Sequence, residues 1–161
     1  MKKKIIITGG LGYIGTELCK IYSGVSWHHK IIVIDNRFIS ERVSQIRNWN
    51  MEFVHGDILN KDLINKYFKD ADIVHHLAGI TDVPRTKSDS NAHIDEKIKL
   101  VGEKGTQNIL DTISKKCKII FPSTHVVYEG INKVKNDIKE NEETKPVLSY
   151  SSSKAINEKQ L

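Results

Sequence analysis

Thr8-Gly9-Gly10-Leu11-Gly12-Tyr13-Ile14-Gly15 follows directly on the apolar run Ile5-Ile6-Ile7 and leads into a helix-compatible stretch. Gly9, Gly12 and Gly15 fit a GxxGxxG spacing, and Gly10, Gly12 and Gly15 also fit GxGxxG. A strand that turns through glycines into a helix lets a pyrophosphate approach the backbone, beside helix N-terminal N–H groups that no side chain screens. Asp35 closes the second apolar run, 20 residues beyond Gly15. At that offset a carboxylate can accept the adenosine ribose hydroxyls of a dinucleotide. The same charge repels a 2′-phosphate, so NAD is expected in preference to NADP, and Arg37 softens that preference.

Outward from this turn, β-branched runs alternate with polar stretches. Strands are predicted at Lys4 to Thr8, Lys30 to Asp35, Met51 to His55, Asp72 to Leu77 and Lys118 to Pro122. Helices are predicted over 12–23, 39–47, 60–69, a long 91–116, and one from about 148. Such alternation specifies an α/β fold, a doubly wound parallel sheet with crossover helices, whose strand C-termini share one ligand-binding edge. Ile31-Ile32-Val33-Ile34 and Ile119-Ile120-Phe121 are apolar on consecutive residues, the pattern of strands covered on both faces. Glu129 to Lys145, rich in Lys, Asn and Glu, is expected as a long exposed loop.

With 161 residues, 39% hydrophobic and 28% charged, the chain suits one soluble core rather than a disordered or disulfide-stapled class. No apolar run nears the ~18 residues that span a bilayer, and Met1-Lys2-Lys3-Lys4 precedes only three isoleucines, too few for a signal-peptide core. A cytoplasmic location is expected. The net charge of +5 is spread among 20 carboxylates, so nucleic acid is not expected as a partner. Cys19 and Cys117 stand far apart and are expected as buried thiols. The pairs His28-His29 and His75-His76 would point to opposite faces of a strand, which suits packing, and no metal is expected. Trp27 and Trp49 are likewise expected to pack.

Tyr150-Ser151-Ser152-Ser153-Lys154 sets a tyrosine and a lysine four residues apart, adjacent on one helix face. Other segments join them in order: Gly56-Asp57-Ile58, His76-Leu77-Ala78-Gly79, Gly105-Thr106, Phe121-Pro122-Ser123-Thr124, Val127-Tyr128, Pro146 and Glu158. Together with the glycine turn, these resemble the short-chain dehydrogenase/reductase superfamily over essentially the whole chain. The resemblance is closest to its extended branch, the NAD-dependent epimerase/dehydratase family typified by UDP-glucose 4-epimerase.

The resemblance implies a Rossmann-type fold, NAD as cofactor with NADP less favoured, a nucleotide-sugar substrate and, in the intact protein, a homodimer. It implies that residues 1–161 form the NAD(P)-binding domain, ending within the helix of Tyr150 and Lys154, with the C-terminal substrate domain missing. Gly9, Gly12, Tyr13, Ile14, Gly15, Asp35 and Asn36 would then hold the dinucleotide, with Asp57 and Ile58 against its adenine. Leu77, Ala78 and Gly79 would run along it. Tyr150, Lys154 and Thr124 would be catalytic, with Ser123 as the fallback for Thr124, and Thr81, Thr124 and His125 would face substrate. A tyrosine of ordinary pKa near ~10 is a poor base at neutral pH. Positive charge from Lys154 and from oxidised nicotinamide would favour its phenolate, and Lys154 would also hold the nicotinamide ribose hydroxyls.

Against the family pattern, His125-Val126 stand where dehydratases carry an acidic pair, which disfavours water elimination, and decarboxylation is disfavoured too. Thr81 replaces a usual lysine, with Arg85 the nearest cation, Gly102 replaces a usual asparagine, and Ser151 replaces a usual glycine. An epimerase that abstracts and returns hydride through a keto sugar is therefore expected. A nucleotide-sugar dehydrogenase or reductase, and an NAD-binding module without activity of its own, are the alternatives.

Overall fold

The computed structural model describes residues 1–81, 91–132 and 136–161, so Arg85 and part of the predicted 129–145 loop lie outside the described residues. Five strands alternate with helices: β1 (Lys4–Thr8), α1 (Tyr13–Ser23), β2 (Lys30–Asp35), α2 (Ser40–Asn48), β3 (Glu52–His55), α3 (Lys61–Phe68) and β4 (Ile73–His76). Then come α4 (Ala92–Lys99), a π-helical turn (Leu100–Lys104), α5 (Gly105–Leu110), β5 (Lys118–Ile120), a 3-10 turn (His125–Tyr128) and α6 (Ser149–Gln160). All pairings are parallel, in the order β3-β2-β1-β4-β5. The chain winds from β1 out to β3, then returns to lay β4 on the other side of β1. That reversal opens a crevice at the strand C-termini.

Alternate residues of the central strands build two cores. Ile5, Ile7, Ile31 and Val33 pack with Leu11, Cys19, Val43 and Ile46 under α1 and α2, while Ile6, Ile32, Ile34 and Val74 meet Ile64, Phe68 and Ile109 of α3 and α5. Burial on both faces is why β1 and β2 read as unbroken isoleucine and valine. Local chemistry starts the helices: Asn60 Oδ1 accepts the Leu63 N–H at 3.1 Å to cap α3, and Asn91 Oδ1 accepts those of His93 and Ile94 to cap α4.

Four expectations need correction. The long helix ends at Leu110, not 116: the chain turns through 111–117 to reach β5, Thr112 spending its hydroxyl on the Asn108 carbonyl and Cys117 N–H closing a turn on Ser114. β5 is not covered on both faces, since it pairs with β4 alone among the described residues and Ile120 is 38% exposed. Cys117 is only partly buried, on the rim of the second core, whereas Cys19 is fully enclosed, its thiol pushed up to about 12 by burial. Trp27 is 75% exposed, while Trp49 packs against the first core as expected. Among the described residues no helix is long and apolar enough to cross a membrane.

Candidate functional site

A cavity of about 650 Å³ lies along the C-terminal ends of β1 to β4. Its floor is the glycine turn. Gly9 has φ +66°, and a Cβ there would stand 2.8 Å from the Ala78 nitrogen; a Cβ on Gly15 would stand 2.4 Å from the Gly9 carbonyl oxygen. Only glycine permits these two approaches. Gly12 begins α1 with no side-chain cap, and the first turn of α1 carries no acidic residue. Its N–H groups and the positive end of its dipole are therefore left for a ligand anion. Tyr13, also on the lining, is 88% exposed, a large aromatic ring facing open space at the entrance.

One wall comes from the ends of β2 and β3. Asp35 is buried, accepting the Leu11 N–H at 2.9 Å and gripped by the Arg37 guanidinium. Asn36 Nδ2 donates to Asp57 Oδ2 at 3.1 Å, and Asp57 Oδ1 accepts the Leu59 N–H at 2.9 Å. Ile58 is buried against Gly105, and its carbonyl accepts from Asn108 Nδ2 at 3.1 Å. The opposite wall is the segment after β4, where Leu77, Ala78, Gly79 and Thr81 line the cavity. Thr8 Oγ1 accepts the N–H groups of Leu77 and Ala78 at 3.1 and 3.0 Å, tying that wall to β1.

α6 closes the far end with Tyr150 and Lys154, both on the lining. Lys154 Nζ donates to the Pro122 carbonyl at 2.9 Å and sits 4.2 Å from the Phe121 ring centre and 5.9 Å from that of Tyr150. Burial pushes the Tyr150 hydroxyl above its ordinary value and the Lys154 ammonium below its own. The start of α6 is held by Glu129, which accepts the N–H groups of Val147 and Leu148 at 2.7 and 2.8 Å and the Ser151 hydroxyl. Burial opposes ionisation of Glu129, but those hydrogen bonds outweigh it and hold the carboxyl below its ordinary value. Ser123 lines the cavity and donates to Glu158. Thr124 and His125 do not line it: Thr124 Oγ1 turns to the Val126 N–H at 3.4 Å, starting the 3-10 turn, and His125 is exposed.

Beneath the site runs a polar connection that the sequence did not announce. Thr8 Oγ1 already accepts two N–H groups, so its proton goes to His76 Nδ1 at 3.0 Å. His76 is thereby the tautomer protonated at Nε2, which donates to Thr106 Oγ1 at 2.9 Å. Asn157 Nδ2, on α6, donates to the same Thr106 oxygen and to the Gly102 carbonyl, both at 3.1 Å. The backbone at Gly102 permits this approach, since a Cβ there would stand 2.0 Å from Ser153 Oγ. Burial lowers His76 to about 4, with a smaller push from Lys154, so the ring stays neutral. Among the described residues no group of three or more His, Cys, Asp or Glu could hold a metal.

The sequence profile of the NAD dependent epimerase/dehydratase family matches residues 5–161. The chain belongs to that family. A relative of this epimerase/dehydratase chain, the CDP-paratose 2-epimerase of Salmonella typhi, is 37% identical over 144 residues, covering 82% of this chain and 40% of that protein. The UDP-glucuronic acid 4-epimerase of Bacillus cereus, solved as a tyrosine-to-phenylalanine mutant with NAD and a fluorinated UDP-sugar, superposes with a TM-score of 0.80 at 26% identity. That match covers 97% of this chain and 50% of the other. The UDP-glucose 4-epimerase of Brucella ovis, solved with NAD, gives a TM-score of 0.78 at 27% identity over 99% of this chain and 46% of the other. The epimerase/dehydratase chain thus spans half or less of the length of these relatives. Its five-stranded parallel sheet is the Rossmann-type fold of the NAD-bearing epimerases it superposes on.

Proposed function

We propose that the cavity holds NAD and that Tyr150 and Lys154 serve the epimerisation of a nucleotide sugar. The observation that carries this reading is convergence: the glycine turn, Asp35, Asp57, and the Tyr150 and Lys154 side chains line one continuous cavity. NAD in the solved relatives and the nucleotide-sugar names of the relatives support it.

The residues fit a dinucleotide. The glycine cradle at Gly9, Gly12, Tyr13, Ile14 and Gly15 would take the pyrophosphate, Asp35 and Asn36 the adenosine ribose, Asp57 and Ile58 the adenine, and Leu77 to Gly79 the length between. Bound there, NAD supplies a reversible hydride acceptor. Tyr150 takes a proton from a sugar hydroxyl through its Oη and returns it when the configuration has changed. Lys154 is the protein's own cation for the phenolate from which Tyr150 starts and to which it returns when it gives the proton back. Ser123 faces the cavity while Thr124 is turned to the Val126 N–H, which favours Ser123 for the hydroxyl between substrate oxygen and Tyr150. Thr81, on the lining, is the residue left to face substrate. A homodimer of the intact protein through α4, α5 and α6 is part of the reading, since Leu100, on the π-helical turn between α4 and α5, and Ile156, on α6, expose apolar side chains.

Calorimetric titration with NAD, followed by incubation with NAD and UDP- or CDP-sugars, tests the proposal. Epimerised sugar without net reduced dinucleotide supports it. Stoichiometric reduced dinucleotide moves the assignment to a dehydrogenase, binding without turnover leaves a cofactor-holding module, and no NAD binding overturns the site.

A further inference from the structure

The carboxylate placed to choose between NAD and NADP is already satisfied. Asp35 Oδ2 accepts the Leu11 N–H at 2.9 Å and Arg37 Nη2 at 3.2 Å, while Oδ1 accepts the Arg37 N–H at 2.9 Å and Arg37 Nε at 3.1 Å. A carboxylate offers about four acceptor positions, so none is left for a ribose hydroxyl while the guanidinium stays. The Asp35 side chain is 3% exposed and that of Arg37 55%, which makes Arg37 the partner free to move. Its Nη2 lies 3.7 Å from where a Cβ on Gly12 would stand, so the cation reaches across to the glycine turn. A second guanidinium, on Arg42, donates to the Leu11 carbonyl of the same turn.

We infer that Arg37 makes this a site for dinucleotides with or without a 2′-phosphate. The inference rests on the dinucleotide reading of the cavity. Paired as it stands, Asp35 presents no net charge to repel a phosphate, and the planar guanidinium matches phosphate oxygens two at a time. For a dinucleotide with a free 2′-hydroxyl the same residue is a competitor, because it must leave Asp35 before the ribose can be accepted. One side chain therefore pulls the two affinities in opposite directions. A residue that merely held the loop would move them together.

The test is titration of the chain and its Arg37→Leu variant with NAD and with NADP separately by calorimetry, with a thermal melt confirming that the exposed substitution leaves the fold intact. The parent chain is expected to bind NADP within about tenfold of NAD; the variant is expected to hold NAD more tightly and NADP about tenfold or more weakly, the loss of a charge-assisted pair. Exclusion of NADP by more than about a hundredfold in the parent chain, or affinities that shift together or not at all in the variant, overturns the inference and leaves the cavity reading standing. Binding of neither dinucleotide overturns both.

Discussion

Tyr150 is pushed away from phenolate and Lys154 away from ammonium by the same burial that puts them on the cavity wall. Desolvation alone thus works against a tyrosine base, and the positive charge that reverses it has to come from the Lys154 ammonium and the bound cofactor together. Tyr150→Phe is expected to leave the NAD titration unchanged while turnover of a nucleotide sugar falls by about 10²–10⁴-fold. His76 gives a second residue-scale prediction. Its folded value of about 4 lies below the ordinary 6.5, so the unfolded chain binds the proton first. Its contribution is complete above pH 6.5 and is lost as the pH falls toward 4, about 3 kcal/mol in all. Denaturant unfolding across that range should show the slope in the parent chain and a flatter one in His76→Gln.

α6 depends on a residue that the sequence left inside a loop. Glu129 takes three donors at the start of the helix that carries Tyr150 and Lys154. Glu129→Ala is expected to cost about 1 kcal/mol in denaturant unfolding, as lost caps do. Because the folded Glu129 value is depressed, its stabilisation is present above the ordinary 4.5 and disappears as the pH falls below it. Glu129→Ala should therefore be less destabilising in acid than at neutral pH. The elements themselves were legible where one local signal sufficed: β-branched runs for β1 and β2, and the glycine spacing for the turn into α1. The positions of Gly9, Asp35 and Tyr150 on one cavity follow from those signals and a parallel sheet. The capping by Glu129, the link from His76 to Asn157 and the close approach at Gly102 are made by hydrogen bonds between residues 18 to 55 apart, and no local pattern encodes such pairings. β5 misled because Ile119-Ile120-Phe121 has the composition of a central strand, whereas its place at the end of the order follows from topology.

Across the whole molecule, the crevice between β1 and β4 draws its walls from both halves of the sheet, so a ligand filling it links them. Saturating NAD, at about a hundred times its dissociation constant, should raise unfolding free energy by about 2.7 kcal/mol, read as a shift in Tm. A homodimer through α4, α5 and α6 should give a light-scattering mass that doubles and then stays constant with concentration. The outer side of β5 behaves differently. Among the described residues it pairs with no strand, and the N–H and C=O groups of such an edge form a template on which a docking strand leaves a similar row behind it. Association by that route is open-ended, growing with concentration where a two-fold helical contact saturates. A charged residue in place of Ile120 would curb such stacking without touching the ligand crevice.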